Sequence, residues 1–344
     1  LSGVGLLAAL VHSFNHSLFK SGLFLGAGSI EYTAHTKNID DLGGLIRKMP
    51  VTAAIFLVLS LSIASVVPFN GFIGECLPFQ GLFTNIMTGD ILLDIVSVLA
   101  IAALAFAGAM AAAAFVKIYG ISFLGLPRNE HSENAVEVPR TMNIGTGTLA
   151  ALCAVVGLFP ITVIKLADQV IRGLTDYSLL DQMQGGVFLM AYPIAVERNG
   201  FSPLAGVLLL LLFGGMAYGA ARYFGKKTIL RHYTTWDCGY KGLEPRMQYT
   251  AGGYSKPLSI VLRFLFRPDR KLKRKGDNIY HPERMEYVIK TEPIFEKYIY
   301  NPLDGLMKII SRAAREKIQT GSIHAYLIYI FVTVLALMLY NRLA

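Results

Sequence analysis

The chain has 344 residues, of which 53% are hydrophobic and 16% are charged, with a formal net charge of +9. A typical soluble domain carries about 25% charged residues, and several apolar runs here approach or exceed the roughly 20 residues that a membrane-spanning helix needs. These values exclude an ordinary soluble enzyme and indicate an integral membrane protein. The three cysteines, Cys76, Cys153 and Cys238, are far apart and form no CxxC pair, so neither a disulfide framework nor a zinc site is indicated.

The chain opens on Leu1 and runs directly into an apolar segment. No charged region and no small-residue cleavage site precede that segment, so it does not have the pattern of a signal peptide. We therefore expect the sequence to be the C-terminal part of a longer protein whose earlier helices are missing from it.

Hydropathy predicts six membrane spans and one short apolar piece after a Pro/Asn/Gly break, at about residue 72–87. The predicted spans are residues 4–28, 51–68, 91–124, 143–172, 203–223 and 324–341. The third span would reach some 50 Å as a straight helix, against a hydrocarbon core of about 30 Å. It must therefore tilt, protrude or break, and Gly108 lies inside it among small alanines.

The segment of residues 222–317 is strongly basic. It holds about 21 lysines and arginines and about 10 acidic residues, a net charge of about +11. Positively charged loops favour the cytoplasmic side, and the run at residues 267–277 suits a solvated face against anionic lipid. No nucleic-acid motif is present, so nucleic-acid binding is not expected. Apolar residues at spacings of three and four predict an amphipathic surface helix within residues 284–318, interrupted at its prolines.

Ionisable side chains inside a membrane are expensive, so each one suggests a functional role. His12, His16 and Lys20 follow one another at intervals of four and share one face of the first helix, with Asn15 beside them. Imidazole titrates near neutral pH, and burial lowers the pKa of a lysine. The row predicts a proton relay; the alternative is that these groups only hydrogen-bond to neighbouring helices.

Two further groups are candidates for the same path. Glu75 lies between Pro68 and Pro78 in a segment where proline and glycine predict a broken helix. A carboxylate there could accept a proton or pair with a lysine on the next helix; the alternative is that it faces water at an interface. Lys117 is far from other charges in sequence and is either a proton site or a lysine that reaches out to the interface. For Lys165 and Asp168, near the end of the fourth predicted span, reaching the interface is the favoured interpretation.

These motifs together resemble the antiporter-like membrane subunits shared by respiratory complex I, the multi-subunit cation/proton antiporters and the membrane-bound [NiFe] hydrogenases. The segments that carry the resemblance are HSFNHSLFKSGLFLGAGSI (residues 12–30), DLGGLIRKMP (41–50), PFNGFIGE (68–75) and AFVKIYGISFLG (114–125). In the family, the last of these lies on a broken helix with a key lysine or glutamate, here Lys117. Where the distal complex I subunit has lysine, this chain has Glu75.

The C-terminal portion is similar to one group within that family. TTWDCGYKGLEPRMQYTAGGYSKPL (residues 234–258) resembles the large membrane subunit of formate hydrogenlyase and hydrogenase-4 type complexes, the hydrogenase-4 component B group. The surface helix before the last span is similar to the lateral helix of some members. The resemblance gives no role to the TWDCGY segment, which we expect to be a structured loop that docks a neighbour.

The resemblance implies an all-α, polytopic transmembrane helix bundle with broken helices and a cytoplasmic lateral helix. Residues 1–172 would form the C-terminal part of the proton-translocation module, and 173–223 a loop and an added transmembrane helix. Residues 224–323 would form the basic cytoplasmic loop with the lateral helix, and 324–344 an anchor helix. The location implied is the inner membrane of a prokaryote.

The implied function is proton translocation coupled to redox chemistry in other membrane and peripheral subunits of a hydrogenase or complex I-like assembly. His12, His16 and Lys20 would relay protons, Glu75 would bridge, and Lys117 would gate the exit. The chain would bind no cofactor and would not be catalytic alone.

The sequence leaves three alternatives open. The ion could be Na⁺ in place of H⁺, the chain could belong to a cation/proton antiporter or a complex I-type NADH dehydrogenase, or it could be a non-translocating membrane scaffold.

Overall fold

The computed structural model describes residues 2–86, 90–175, 203–225, 238–240, 242–266, 269–275, 284–290, 292–317, 319 and 321–343. They divide into two units, Leu1–Tyr254 and Ser255–Ala344. The first unit is helical: α1 (Ser2–Ala34), α2 (Pro50–Ile63), α3 (Asn70–Asn85), α4 (Ile91–Phe123), α5 (Glu130–Glu133), α6 (Arg140–Leu158), α7 (Ile161–Thr175), α8 (Pro203–Phe224) and the start of α9 (Ala251–Val261).

The second unit continues α9 and holds a short ribbon and two long helices. Its elements are α10 (Arg263–Phe266), β1 (Asp269–Lys275), β2 (Arg284–Lys290), α11 (Asn301–Lys317) and α12 (Ile323–Leu343). Four described helices are long and apolar enough to cross a membrane: Ile91–Phe123, Arg140–Leu158, Ala205–Phe224 and Ile323–Arg342. The predicted all-α membrane bundle is confirmed.

Helix α1 lies at the centre of the first unit. It packs against α2, α3, α6 and α7, while α4 packs against α2 and α3. Two clusters of buried apolar residues lie along α1. The first contains Val4, Leu7, Ala8, Val11, Ile73, Leu77, Val163, Ile164, Ala167 and Ile171. The second includes Phe19, Leu23, Ile30, Met49, Ala53, Phe56, Leu59, Phe123, Ala150 and Cys153. Lipid tails are as apolar as these side chains, so close packing within the clusters and hydrogen bonds between helices, rather than removal of apolar surface from water, stabilise a bundle of this kind in a membrane.

Helix α2 is capped by a residue from a distant part of the chain. Pro50 occupies its first turn, where a missing N–H costs nothing. Glu137 lies just before α6, and its carboxylate accepts hydrogen bonds from the Val51 N–H at 2.8 Å and the Asn143 side-chain amide at 3.2 Å. Burial raises the pKa of Glu137, but hydrogen bonds from Thr52 and Asn143 outweigh burial and lower the pKa from its ordinary value. A carboxylate at a helix N-terminus also matches the helix dipole.

One predicted break between helices is confirmed, and one predicted span is interrupted. Helix α2 ends at Ile63 and α3 begins at Asn70, so the predicted Pro/Gly break separates them. The prediction of one span over residues 143–172 is wrong, because α6 ends at Leu158 and α7 starts at Ile161. Pro160 is the physical reason: proline lacks an N–H, and the residue before it avoids the helical region.

Helix α4 is continuous over 33 residues. Of the three outcomes that its length left open, the break near Gly108 does not occur, and the broken helix that the resemblance implied for the Lys117 segment does not occur either. Asp90 caps its start by accepting from the Leu92 N–H at 3.0 Å and the Leu93 N–H at 3.3 Å. The alanines around Gly108 are the strongest helix formers and keep the ladder of hydrogen bonds intact. At about 1.5 Å per residue the helix is about 50 Å long.

The first part of the surface helix predicted within residues 284–318 is a strand instead. β1 and β2 pair antiparallel, with Leu272 opposite Tyr287. The helix predicted from Met285 onward therefore begins only after β2, because Tyr287, Val288 and Ile289 have strand propensity and a partner strand. Beyond it, a π-helical turn at Glu296–Tyr300 leads into α11, whose exposed Leu303, Leu306 and Ile310 repeat at helical spacing. The predicted 173–200 loop lies mostly outside the described residues.

Candidate functional site

The polar stripe predicted on α1 meets α3 at one level of the bundle. Asn15 is only 1% exposed and His12 is half-buried, whereas His16 lies on the exposed side of the helix. The rings of His12 and His16 are adjacent, with centroids 5.9 Å apart. The His16 ring packs edge-on against Phe19 at 5.2 Å. The predicted neighbours are therefore neighbours in space, and one side of the stripe is closed by α3.

A pair of buried amides joins α1 to α3. Asn70 is fully buried, and the Asn15 side chain donates to the Asn70 carbonyl oxygen at 3.0 Å. Asn70 donates in return to the Asn15 backbone oxygen at 3.4 Å and to its side-chain oxygen at 3.3 Å. Sequence reasoning missed Asn70, although a second amide at the Pro/Gly break was a usable signal. Since an unpaired buried amide costs about 1–3 kcal/mol, this pair fixes the register of the two helices.

His12 reaches the same face of α3 one turn later. Its Nδ1 lies 3.2 Å from the carbonyl oxygen of Gly74. A Cβ placed on Gly74 would lie 3.0 Å from that nitrogen and 3.5 Å from the Asn15 amide nitrogen. Glycine at this position therefore permits the imidazole to approach the backbone of α3.

Glu75 lies on the opposite side of the same turn and contacts α4. A Cβ placed on Gly108 would lie 3.1 Å from the Glu75 Oε2 atom, so the carboxylate rests against the backbone of α4 at that glycine. We call His12, Asn15, Asn70 and Glu75 the polar layer. It runs from α1 through α3 to α4, and along α1 it lies between the two apolar clusters, whose nearest members are Val11 and Phe19.

The two lysines lie outside this layer. Lys20 is half-buried, and its Nζ lies 5.6 Å from the centre of the Phe24 ring, a cation–π contact. Lys117 is half-buried on α4, nine residues beyond Gly108. That separation is about 14 Å along the helix axis. The structure therefore places His12 and His16 side by side on α1, with His12 against α3, and it places the Glu75 carboxylate between α3 and α4 and Lys117 at a separate level.

Asp168 corrects a sequence-based interpretation. We expected Lys165 and Asp168 to reach out to the interface, and Lys165 is exposed as expected. Asp168 is instead 1% exposed and forms an ion pair with Arg172 at 2.9 Å, one turn along α7. The apolar face of α7 packs on the start of α1 and buries this carboxylate, which a hydropathy pattern does not reveal.

Within the described ranges, no three His, Cys, Asp or Glu side chains lie together in a way that could hold a metal ion. Cys76, Cys153 and Cys238 are free thiols. The expectation that the chain binds no cofactor stays a prediction.

Comparison with known proteins gives consistent results. The family described as NADH:quinone oxidoreductase/Mrp antiporter, TM, matches residues 2–101. Hydrogenase-4 component B of Escherichia coli is 32% identical over 98% of this chain and 50% of its own length. Formate hydrogenlyase subunit 3 of Escherichia coli is 33% identical over 80% of this chain and 41% of its own length. The chain thus spans about half the length of the curated relatives it matches.

A solved structure shows the same fold. The membrane-bound sulfane sulfur reductase, an archaeal respiratory membrane complex, contains a chain that aligns over 97% of this one and 48% of itself, with a TM-score of 0.58 and 22% identity. The relatives are components of multi-subunit membrane complexes. The resemblance read from the sequence is therefore confirmed: residues 2–101 match the membrane-domain family of NADH:quinone oxidoreductase and Mrp antiporters, and hydrogenase-4 component B is similar over 98% of this chain.

Proposed function

We propose that this chain translocates protons as a membrane subunit of an energy-converting redox complex of the membrane-bound [NiFe] hydrogenase or formate hydrogenlyase class. The observation that carries the proposal is the polar layer, which holds the titratable side chains of His12 on α1 and Glu75 on α3 and which, along α1, lies between two apolar clusters. Such groups are costly in a membrane unless they are used and partnered. Two relatives with these complex names are similar over most of the chain.

The polar layer suggests a direction for the path across the bundle. His12, His16 and Lys20 take up and pass protons along α1. Glu75 carries them across α3, since its carboxylate lies against α4 while its neighbour Gly74 contacts His12. Lys117 receives them farther along α4 and gates the exit. The level difference of about 14 Å between Gly108 and Lys117 requires water or further side chains between Glu75 and that lysine.

The remaining parts of the proposal concern the surroundings of the chain. Redox chemistry belongs to neighbouring membrane and peripheral subunits, and this chain holds no cofactor. The location is the inner membrane of a prokaryote, with the basic segment on the cytoplasmic side, where anionic lipid attracts it.

The test uses the full-length protein purified in mild detergent within its native complex. We expect nickel to co-purify, with hydrogen-dependent dye reduction. In proteoliposomes, Lys20→Ala and Lys117→Ala should each lower proton translocation at least tenfold with normal assembly. Lys165→Ala, which removes an exposed lysine from α7, is the matched control and should translocate normally. Normal translocation by both test variants would overturn the relay.

The antiporter is the main alternative, because the matching family includes Mrp antiporters. Sodium-dependent proton exchange by a complex that lacks nickel would favour it. Flavin and NADH oxidation would instead indicate a complex I-type dehydrogenase. If substitutions in the polar layer prevent assembly and none selectively reduces transport, the chain is a non-translocating membrane scaffold.

A further inference from the structure

A short segment after α8 is fastened to the loops of the first unit. Residues 244–251, here called the strap, form a 3₁₀ turn at Pro245–Met247 and end where α9 begins. They belong to the stretch for which the family resemblance gave no role. The sequence led us to expect a loop that docks a neighbouring protein, but the strap binds its own chain.

Gln248 is the centre of the strap. Its side-chain oxygen accepts from the Leu126 N–H at 2.7 Å, and its amide nitrogen donates to the Leu126 carbonyl oxygen at 3.0 Å. The same nitrogen donates to the Pro245 carbonyl oxygen at 3.1 Å, which orients the side chain. Leu126 lies three residues beyond the end of α4. The side chain therefore pairs with that backbone much as a neighbouring strand would.

The loop is shaped to receive this amide. Gly125 has φ of +79°, and a Cβ added there would lie 2.0 Å from the Gln248 side-chain oxygen. A residue with a side chain would be strained at this φ, and its Cβ would displace the Gln248 side-chain oxygen from its position against Leu126. The fit is therefore specific on both sides of the contact.

Arg128 and Asp40 fasten the other end of the strap. Arg128 donates to the carbonyl oxygens of Tyr249 and Asp40. The Asp40 carboxylate accepts from the Ala251 N–H at 2.6 Å and lies 3.8 Å from the guanidinium. The side chain of Arg128 is only 12% exposed, so its guanidinium is largely desolvated and depends on these hydrogen bonds in place of water.

The loop between α1 and α2 joins the same assembly. The Gly44 N–H donates to the Leu124 carbonyl oxygen at 2.9 Å, directly at the end of α4. The Ser132 hydroxyl donates to the Asp41 carbonyl oxygen at 3.2 Å. The strap, the α1–α2 loop and the loop after α4 therefore hold one another, and α4 cannot shift at this end without breaking contacts to both.

We propose that the strap positions Lys117, with Gln248 and Arg128 as positioning residues for proton transfer; this rests on the proposed function. Lys117 lies six residues before Phe123, about 9 Å from the fastened end of α4. A misplacement of about 1 Å at a transfer site can cost roughly 100-fold in rate. Releasing the strap lets α4 drift and weakens transfer at Lys117, while the redox chemistry of other subunits continues.

The test compares Gln248→Ala with Arg246→Ala in the full-length protein within its complex. Gln248→Ala removes the hydrogen bonds to Leu126 and Pro245. Arg246 lies on the same strap, but its side chain is exposed and pairs with Glu244 at the surface, so Arg246→Ala is the matched control. Hydrogen exchange of peptides over residues 124–128 measures docking, and protons translocated per hydrogen oxidised measures coupling.

For Gln248→Ala we expect exchange of the Leu126 amide to rise about tenfold, as loss of a net hydrogen bond predicts. We expect the proton-to-hydrogen ratio to fall at least twofold with dye reduction unchanged. Arg246→Ala should change neither. If Gln248→Ala does not assemble, Gln248→Glu keeps the acceptor for the Leu126 N–H but sets a carboxylate oxygen against the carbonyl oxygens of Leu126 and Pro245, so it should change both measurements in the same directions.

Three results would overturn the proposal, and each means something different. Unchanged exchange in Gln248→Ala would show that the strap is not docked. Faster exchange with an unchanged proton ratio would show that docking does not position Lys117, and the proposed function would stand. Absence of translocation in the wild-type complex would overturn the proposed function together with the positioning role.

Discussion

The polar layer and the strap both hold helices with side-chain amides, but in opposite surroundings. In the layer, Asn15 and Asn70 are buried almost completely and bind each other across two helices. In the strap, half-buried Gln248 binds the backbone of a loop. A buried amide has no water to replace a lost partner, whereas an accessible one does. The layer should therefore control both stability and transport, and the strap mainly the position of α4.

The largest effect is expected at the entry to the layer. In Gly71→Ala, the new Cβ would lie 1.7 Å from the backbone oxygen of Ser62, and backbone cannot move aside as a flexible side chain can. We expect a loss of about 3 kcal/mol or more and little assembled complex. Gly28→Ala, on the exposed side of α1 with no atom within 4 Å, is the control. Equal yields for the two variants would show that α2 and α3 do not meet as described.

The next largest effect is expected from breaking the buried pair of Asn15 and Asn70. Asn15→Ala or Asn70→Ala alone should cost about 2 kcal/mol in the free energy of unfolding, because each leaves the partner buried and unpaired. The double variant should lose less than the two single losses combined, since nothing then remains unpaired. Thermal unfolding of the purified complex measures all three. Strict additivity would contradict direct pairing.

A pH dependence separates the cap of α2 from the layer. The folded-state pKa of Glu137 is below its ordinary value of 4.5, so its stabilisation is present above that pH and is lost as pH falls through the lower folded value. Glu137→Gln should cost about 1 kcal/mol at pH 7, because its NH₂ group cannot accept from the Val51 N–H. The difference in melting temperature between wild type and variant should shrink below about pH 4.5. A constant difference down to pH 3 would contradict the cap.

The smallest effect is expected on the outer face of the strap. Arg246 and Glu244 form an ion pair with side chains 76% and 48% exposed. Exposed pairs contribute about 0–1 kcal/mol, so Arg246→Ala should leave the melting temperature almost unchanged. A fall in melting temperature comparable with that of Asn70→Ala would mean that the strap stabilises the whole fold and does not mainly position α4.

The sequence predicted those features of the fold that are set by residues close to one another along the chain. The spacing of His12, His16 and Lys20 placed them on one helical face, and proline with glycine predicted the interruption before Glu75. The long runs of apolar residues predicted the membrane helix bundle. The break at Pro160 was also readable, because proline interrupts a helix whatever surrounds it.

The rest depends on contacts between distant parts of the chain. Asn15 and Asn70 are 55 residues apart, Glu137 caps a helix 86 residues earlier, and Gln248 binds a loop 122 residues earlier. Nothing in the local sequence selects these partners. Asp168 was misread for the same reason, since its burial comes from packing against α1. The strand β2 was misread as helix because its short apolar pattern fits either period, and pairing with β1 decides.

The most direct test of the central claim is proton translocation by the reconstituted complex carrying Glu75→Gln. Glu133→Gln, the same change on exposed α5, is the control. If the polar layer carries protons from α1 to α4, Glu75→Gln assembles normally, oxidises hydrogen and translocates protons at least tenfold more slowly than the control. Equal translocation by the two variants, with equal assembly, would contradict a proton path through this layer.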